Sequence, residues 1–464
     1  MKEAHSSQGP RLAIVFWETY LGCAPSLINA ARALDENGYA VDILIRSDSD
    51  RFAPPPNFGP NIRIIRVDGG DGATAPRGKS HVDRDGTAGQ HSRIPACIRR
   101  RIGRALSWCR DRMGKLRPAS LFARSRFARR AAEIARRNNY FCLIGVDTHG
   151  LIAAHHIGEE IHTSVIYWSL EITFDTDFAD RQALKRPSVV NRIIGPLISS
   201  WVRHCLRWKQ REKECHRKSL ALVIQDRERA EVLCRENQVE NGPVLLVPNS
   251  PRGFPSTATG ASFLHDRLNL SECDRIILHA GSVCEGMRSH HLAQAAASWP
   301  DSWKLVFHSH TELTRHDEFP LSLSQMGNGR VVLSDTPVDY DDLDELYQSA
   351  HVGVVIYDNS LGPNFQLLAG ASGKLAHSLR CGIPVVSVGN PAIGRVLSRW
   401  KCGIDVLSPS HVEAAIHTIS SNYETFCRNA LLCYREAYEF DRHFAPVLKL
   451  IETRAAAHSY SEPG

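Results

Sequence analysis

The stretch "GASGKLAHSLRCGIPVV" (residues 370–386) decides the fold of this chain. Gly370, Ser372 and Gly373 form a turn of small residues, and a serine hydroxyl in that place caps the first turn of a helix. The helix is predicted to end at Gly382, and the apolar residues that follow predict a strand. A helix begun by a glycine-rich turn and followed by a buried strand is typical of an α/β sheet.

The start of this helix is a candidate anion site. The first turn of a helix exposes unpaired N–H groups and carries a partial positive charge, and both attract phosphate. Lys374 adds a full positive charge in that turn, and His377 lies three residues later on the same face. The pattern predicts contacts with a phosphate or diphosphate and with a group beside it. A capped helix with a solvated lysine is the alternative.

Strand-like and helix-like segments alternate along most of the chain. The strand segments are short apolar runs rich in β-branched and aromatic residues, without strict alternation of polar and apolar positions. That pattern predicts parallel strands covered by helices on both faces. The predicted strands are 11–17, 41–47, 62–68, 140–147, 163–171 and 220–226, followed by 275–282, 303–310, 330–335, 352–358, 383–389 and 404–408.

The two series of strands predict an α/β protein of two doubly wound, Rossmann-like domains that face a cleft. We predict an N-terminal domain over 1–248, a C-terminal domain over 249–430, and closing helices with a tail over 431–464 that pack back toward the N-terminal domain. The segment 244–260 is rich in Pro, Gly, Ser and Thr and is predicted to link the domains. Ligands of such sheets bind at the carboxyl ends of the strands, so the predicted site is the cleft.

Composition excludes several classes of protein. The 464 residues are 43% hydrophobic with a net charge of +6, a globular balance that gives no indication of nucleic-acid binding. Thirteen scattered cysteines without a Cys-x-x-Cys pair predict free thiols in a reducing cytoplasm rather than a zinc site. No apolar run is long enough for a membrane span and no signal sequence is visible. The expected location is therefore cytoplasmic, including the inner face of the membrane.

Several motifs, taken in order, resemble those of GT-B glycosyltransferases, specifically the large retaining group that uses nucleotide sugars. "SGKLAH" and "RCGIPVV" match the elements that begin and end the nucleotide-binding helix of that family. Other segments that resemble family elements in place are 145–171, 222–250, 275–310 and 394–406. The likeness covers most of the chain.

The resemblance implies transfer of a sugar from a nucleotide-diphosphate sugar to a hydroxyl acceptor by a hexosyltransferase-like, retaining enzyme. It implies no metal ion or other cofactor, and an acceptor that is lipid-linked or a precursor of a cell-surface polysaccharide. The alternatives are a catalytically degenerate GT-B protein that binds a sugar nucleotide or a partner, and a GT-B epimerase or phosphorylase. The implied nucleotide-sugar contacts are Gly281, Ser282, Arg288, Gly370, Ser372, Gly373, Lys374 and His377.

Four positions of the donor-side motifs depart from the family's pattern. His377 stands where the family has the glutamate that binds the ribose hydroxyls, and Ala369 stands where it has an earlier glutamate. Ser282 replaces an arginine and Met287 replaces a lysine, both of which contact the diphosphate in the family. Arg288 is the candidate for supplying the missing charge; a solvated residue at the start of a helix is the alternative.

Three residues are candidates on the acceptor side of the cleft. Gly22 is the one clear glycine in the loop after the first predicted strand. His149 and Glu171 follow the ends of two other predicted strands, and both are candidate catalytic residues that face the cleft. Glu171 matches the glutamate of the family's Ser-His-Glu element, although Leu170 replaces the histidine. For His149 a purely structural role is the alternative.

Residues 69–137 interrupt the alternation and are predicted to be a basic helical insertion in the first domain. An apolar helical face surrounded by basic residues predicts peripheral contact of 92–137 with an anionic membrane. A helix packed on the first domain with solvated arginines is the alternative, and nucleic-acid binding is not expected because no recognised fold accompanies the charge. The apolar residues that recur at helical spacing are Ile98, Ile102, Leu106 and Cys109.

Overall fold

The structure is a computed structural model that describes residues 9–46, 55–67, 118–174, 207–255, 262–313 and 318–459. Within these ranges the chain forms two parallel β-sheets flanked by helices. The α/β fold class predicted from the sequence is confirmed.

The first sheet has seven described strands in the order β3-β2-β1-β4-β5-β6-β7, and neighbouring strands are parallel. Successive residues of β1 enter different cores: Ile14 packs in one hydrophobic cluster and Val15 in the cluster on the opposite face. Burial on both faces explains why the strands show no polar alternation. The strands are β1 Arg11–Phe16, β2 Ala40–Ile45, β3 Ile62–Arg66, β4 Tyr140–Val146, β5 Ser164–Trp168, β6 Leu222–Ile224 and β7 Val244–Leu246.

The second sheet repeats this winding with six described strands in the order β10-β9-β8-β11-β12-β13. In both sheets the order in which strands are added reverses, between β1 and β4 in the first sheet and between β8 and β11 in the second. Ligands of doubly wound sheets bind at this point. The strands are β8 Arg275–Ala280, β9 Trp303–His308, β10 Val331–Ser334, β11 Val352–Ile356, β12 Val385–Val388 and β13 Gly403–Val406.

Helices connect and cover the strands of both sheets. In the first domain and its continuation they are α1 Pro25–Glu36, α2 Pro118–Ala135, α3 Asp147–Ile161, α4 (207–218) and α5 Arg227–Asn237. In the second they are α6 Phe263–Leu268, α7 Ser289–Ala296, α8 Phe319–Met326, α9 Leu343–Gln348, α10 Pro363–Gln366, α11 Gly373–Arg380, α12 Pro391–Trp400, α13 Val412–Ser420 and α14 Tyr423–Ala437. The last described helix of the chain is α15 Phe440–Ser459.

The linker and the closing helices differ from the sequence prediction in their limits. Val244–Leu246 lies inside the predicted linker but forms the edge strand β7, because its apolar residues pair with β6. At the other end, α14 still packs on the second domain through Tyr434, whereas Phe440 and Phe444 of α15 join the core of the first sheet. The chain therefore crosses back to the first domain between α14 and α15.

The basic insertion is described only from residue 118 onward. Helix α2 lies against the first sheet, and Phe127, Ala131 and Ala135 are buried in its core. For this part of the segment the alternative of a packed helix is therefore the observed one. The predicted apolar face at 98–109 and most of the predicted membrane contact at 92–137 lie outside the described residues.

The carboxyl ends of the two sheets face each other. Ile172, Asp226 and Asn249, which follow strands β5, β6 and β7, all hydrogen-bond to the segment 364–371, which follows β11 of the second sheet. The cleft predicted from the sequence is therefore bounded on one side by the loops of the first sheet and on the other by the turn that begins α11.

Candidate active site

The phosphate-facing helix predicted from the opening stretch is α11. Ser372 caps it, because its hydroxyl accepts a hydrogen bond of 3.4 Å from the Leu375 N–H. The helix ends at Cys381, and Gly382 adopts a left-handed backbone with φ of +70°. The first turn therefore has the polarity that attracts anions.

Lys374 lies in the first turn of α11, and its side chain packs against the loop that follows β8. Its Nζ stands 4.7 Å from the ring centroid of Tyr357, whose hydroxyl is 3.0 Å from the Ser372 hydroxyl. Gly281, with φ of +133°, leaves room for this lysine, since a Cβ there would lie 3.0 Å from its Cε and 3.1 Å from its Nζ. The two predicted phosphate-binding elements, the loop at Gly281 and the turn at Lys374, thus meet in space.

Within the part of the chain that the structure describes, the ammonium group of Lys374 has no counter-charge. Burial among neutral groups lowers the pKa of Lys374 to about 7, because desolvation penalises the charged form. Among the described residues no carboxylate forms an ion pair or a hydrogen bond with its Nζ. A phosphate at the start of α11 would supply the missing negative charge and restore the pKa.

Two further candidates flank this position. Ser282 is exposed beside Gly281, and its carbonyl lies 3.4 Å from the buried His279 ring. Arg288 has a left-handed backbone with φ of +56° at the junction of a short 3-10 turn and α7. The pKa of Asp358 lies below its usual value, chiefly through hydrogen bonds from Ser360 and to a smaller extent through the charge of Arg288. Arg288 therefore lies near the end of β11, on the same side as Lys374.

His377 occupies a more enclosed position than Lys374. Its side chain is 5% exposed and stacks on Tyr347 at a centroid distance of 5.1 Å. Burial lowers the pKa of His377 to about 3, so the imidazole is neutral at physiological pH. Its Nδ1 is buried without a hydrogen-bond partner among the described residues. Contact with a ribose stays a prediction.

The turn that begins α11 contacts the first domain at its glycines, a contact that the sequence did not show. A Cβ at Gly370 would stand 2.6 Å from the Gln225 carbonyl oxygen and 2.9 Å from the Asp226 Cβ. A Cβ at Gly373 would stand 3.4 Å from the Asn249 side chain. Gly370 thus permits close approach by the first domain of the chain itself, in addition to any approach by a ligand, whereas the distance at Gly373 is an ordinary van der Waals contact.

Asp147 is a feature of the facing wall that sequence reasoning missed. It begins α3 directly after β4 with a left-handed φ of +53°, and its Oδ1 accepts hydrogen bonds from the N–H groups of Leu170 and Glu171. Desolvation, with added repulsion from Glu171 and Glu18, raises the pKa of Asp147 to about 8. An aspartate at the last position of a predicted strand, two residues before the candidate His149, was the available signal.

The other acceptor-side candidates lie around the same loops. Glu171 follows β5, and its Oε2 is 3.9 Å from the buried Arg229 guanidinium. His149 lies in the first turn of α3, with ring centroids of Trp17 at 6.1 Å and Trp208 at 5.5 Å. Gly22 is buried in a 3-10 turn, Leu21–Cys23, between β1 and α1. The structure thus places His149 and Glu171 on one wall of the cleft, while their catalytic roles stay predictions.

A buried ion pair supports this wall from behind. Lys209 and Glu212 of α4 are fully buried, and their charged atoms lie 3.2 Å apart. Glu212 also accepts hydrogen bonds from Thr148 at 2.8 Å and from Tyr167 and Asn237 at 3.0 Å each. Thr148 is the neighbour of Asp147, so the ion pair fixes the start of α3.

Two observations bear on metal and membrane predictions. Within the described ranges no three or more His, Cys, Asp or Glu side chains are grouped to hold a metal ion. Of the helices the structure describes, none is long and apolar enough to cross a bilayer.

Known structures share this two-domain arrangement. Sucrose-phosphate synthase from Thermosynechococcus elongatus superimposes with a TM-score of 0.61 at 16% identity, over 97% of this chain and 100% of that one. HepE of Anabaena in complex with UDP-glucose gives 0.59 at 11% identity, over 96% and 99% of the two chains.

WaaG, a glycosyltransferase involved in lipopolysaccharide biosynthesis, gives a TM-score of 0.53 at 11% identity, over 94% of this chain and 98% of that one. No protein-family model and no curated protein matches the sequence. The likeness to solved structures extends over nearly the whole of each chain and includes both sheets. The chain therefore has the GT-B glycosyltransferase fold.

Proposed function

We propose that this protein transfers a sugar from a nucleotide-diphosphate donor to a hydroxyl acceptor bound in the cleft. The observation that carries the proposal is the unpaired ammonium group of Lys374 at the capped start of α11. A cation without a counter-ion, beside the start of a helix and a glycine loop, suits a diphosphate better than any neutral ligand. The UDP-glucose complex of HepE concerns that protein, but it makes uridine nucleotides the first probes to try here.

The proposed chemistry is mainly stabilisation of the leaving group. When the bond between the anomeric carbon and the diphosphate oxygen breaks, the charge that develops on the diphosphate is met by Lys374, by the N–H groups of α11 and by Arg288. The acceptor hydroxyl forms the new bond to the same carbon. Its proton passes to a base on the facing wall, for which Glu171 is the candidate, with His149 beside it. Closure of the cleft would exclude water, which otherwise hydrolyses the donor.

The finer features rest on the family resemblance. These are retention of the anomeric configuration, a hexose as the transferred sugar, independence of a metal ion, and an acceptor that is lipid-linked or a precursor of a cell-surface polysaccharide. Peripheral contact of 92–137 with anionic lipid at the cytoplasmic membrane face is a separate proposal, which rests on the apolar helical spacing and the basic residues of that segment. Co-sedimentation with anionic but not with neutral liposomes, lost on deletion of 92–117, would support it; equal sedimentation of both proteins would contradict it.

The function is tested by nucleotide binding followed by turnover. We expect calorimetry to detect saturable binding of UDP or another nucleoside diphosphate, and we expect the matching nucleotide sugar to release that diphosphate when a hydroxyl acceptor is present. Binding of no nucleoside diphosphate, or of pyrophosphate only, would contradict the proposal. Reversible conversion of the donor to an epimer, or dependence on inorganic phosphate, would favour an epimerase or a phosphorylase.

A catalytically degenerate GT-B protein is the second candidate. Ala369 lacks the carboxylate of the family's pattern, and its carbonyl instead accepts a hydrogen bond of 2.6 Å from Tyr438. Tight binding of a sugar nucleotide without hydrolysis or transfer, across a panel of donors and acceptors, would establish this alternative.

A further inference from the structure

Asn364 joins the two walls of the cleft by a reciprocal pair of hydrogen bonds. Its Oδ1 accepts from the Ile172 N–H at 3.0 Å, and its Nδ2 donates to the Ile172 carbonyl at 2.8 Å. A side-chain amide that pairs with both backbone groups of one residue imitates a strand pairing. Ile172 follows Glu171, so Asn364 of the second domain holds the loop that carries the candidate base of the first.

Arg229 strengthens the same junction. It is fully buried, and its guanidinium donates to the Leu170 carbonyl at 2.8 Å, to Asn364 Oδ1 at 3.1 Å and to the Leu367 carbonyl at 3.2 Å. A buried charge held mainly by carbonyl oxygens from both domains fixes the geometry of those oxygens, because leaving any of them unpaired is costly.

The segment continues from Asn364 to the donor-side turn at Gly370, which is also hydrogen-bonded to the first domain. Asp226 Oδ2 accepts from the Gly370 N–H at 3.0 Å, and the Asn249 N–H donates to the Gly370 carbonyl at 2.8 Å. The Asn249 side chain reaches the Ala371 carbonyl at 3.3 Å and accepts from Ser26 at 2.8 Å. The turn that begins α11 is therefore positioned by the first domain as well as by its own sheet.

We propose that Asn364 is a positioning residue that couples the Glu171 loop to the donor-side turn. It lies six residues before Gly370 in a segment whose ends are both fixed to the first domain, so a shift of the loop at Ile172 displaces the turn and the reverse. Its effect on turnover rests on the proposed function, because it acts by placing Glu171 opposite Lys374. The coupling itself is a property of the protein without ligand.

The coupling is tested by hydrogen exchange of the full chain in the absence of nucleotide. Asn364→Ala removes both bonds to Ile172, and we expect amide exchange to become about tenfold faster or more at 169–173 and also at 369–375. Arg32→Ala is the matched control, because it breaks an exposed interdomain ion pair, 2.7 Å to Asp341, away from this segment. The control should leave both ranges unchanged.

Faster exchange at 169–173 alone, or the same change in the Arg32→Ala variant, would overturn the proposal. Asn364→Asp keeps the oxygen that accepts from Ile172 and Arg229, but it loses the bond that Nδ2 donates and sets a carboxylate oxygen against the Ile172 carbonyl, so exchange should again be faster than in the wild type in both ranges. If the alanine variant does not fold, the aspartate variant decides, and wild-type exchange at 369–375 in that variant would refute the coupling.

Turnover provides a readout that a purely structural role would not give. With UDP-glucose as the probe, we expect Asn364→Ala to lower kcat about tenfold or more while KM stays within about threefold. A parallel loss in kcat/KM and melting temperature, with kcat unchanged at saturation, would contradict positioning. Absence of turnover by the wild type would count against the proposed function for this donor and leaves the exchange result to decide the coupling.

Discussion

Two lysines, one fully buried in the first domain and one partly buried in the second, occupy opposite electrostatic situations. Lys209, behind the acceptor-side wall, is fully buried against Glu212 and also donates to the Thr173 carbonyl. Lys374, on the donor-side wall, has an aromatic ring and a glycine as neighbours and no carboxylate partner among the described residues. A cation that the fold neutralises serves the fold, whereas a cation that the fold leaves without a counter-ion is available to a ligand.

The surroundings of the two lysines extend this contrast to the walls themselves. The acceptor-side wall carries the exposed carboxylate of Glu171, next to Asp147, whose pKa is raised to about 8 chiefly by desolvation. The donor-side wall holds a lysine whose pKa is lowered to about 7 by burial. One wall thus suits a hydroxyl group that must lose a proton, and the other suits a diphosphate that gains charge.

The largest expected effect comes from removing the paired lysine. Lys209→Met leaves Glu212 as a buried carboxylate without its cation, so we expect the free energy of unfolding to fall by about 3–5 kcal/mol. The control is Lys218→Met, on the same helix α4 as Lys209. It breaks an exposed pair with Glu159 of α3 and should lower the free energy of unfolding by less than about 1 kcal/mol. Urea unfolding measures both; equal stabilities of the two variants would mean that the buried pair contributes nothing specific.

The unpaired lysine should show the opposite behaviour. Lys374→Ala is expected to weaken binding of a nucleoside diphosphate by about 1.5–3 kcal/mol, the range for a charged hydrogen bond, with folding nearly unchanged. Lys304→Ala is a suitable control, since Lys304 pairs with Asp274 at the amino end of its strand. Calorimetry is the measurement, and an affinity unaltered by Lys374→Ala would remove this residue from the site.

The low pKa of Lys374 makes binding depend on pH. In the protein without ligand, Lys374 loses its proton above pH about 7. Above that pH, a diphosphate that needs the ammonium group must therefore bind with uptake of a proton. We expect the affinity for the diphosphate to fall by up to about tenfold per pH unit above pH about 7, until the pH reaches the higher pKa that Lys374 has in the complex. Lys374→Arg keeps the charge at every pH and should remove this dependence; a sloping profile that persists in the arginine variant would assign it to another group.

The last prediction concerns the pH dependence of stability at Asp147. A carboxyl group whose pKa is raised from 3.8 to about 8 makes the folded state lose stability as pH rises through that window, because the unfolded chain ionises first. Asp147→Asn imitates the protonated form, can keep the acceptor for Leu170 and Glu171, and tolerates the left-handed backbone. We expect its advantage over the wild type to grow from pH about 4 to about 8 in thermal melts. A constant difference would show that Asp147 is ionised in the fold.

The pattern of the chain was enough to predict the two α/β sheets and the capped helix at Ser372. Parallel strands buried on both faces are recognisable because their residues are apolar without alternation, as in β1 and β11. The edge strand Val244–Leu246 was missed, since three residues beside Pro and Gly carry little periodic signal. The crossover between α14 and α15 was placed a few residues early, because both helices are amphipathic and their partners are distant in sequence.

The sequence by itself was enough to predict an anion site at the start of the helix in residues 370–386, because capping, helix polarity and the charge of Lys374 are local properties. Only the tertiary structure decided that Gly281 and Tyr357 surround that lysine, and burial by residues far along the chain is what lowers its pKa. Tertiary contacts likewise made Gly370 a meeting point with Gln225, and brought Asn364 to Ile172. Local patterns specify what a residue can do, whereas desolvation and pairing depend on neighbours that no local pattern contains.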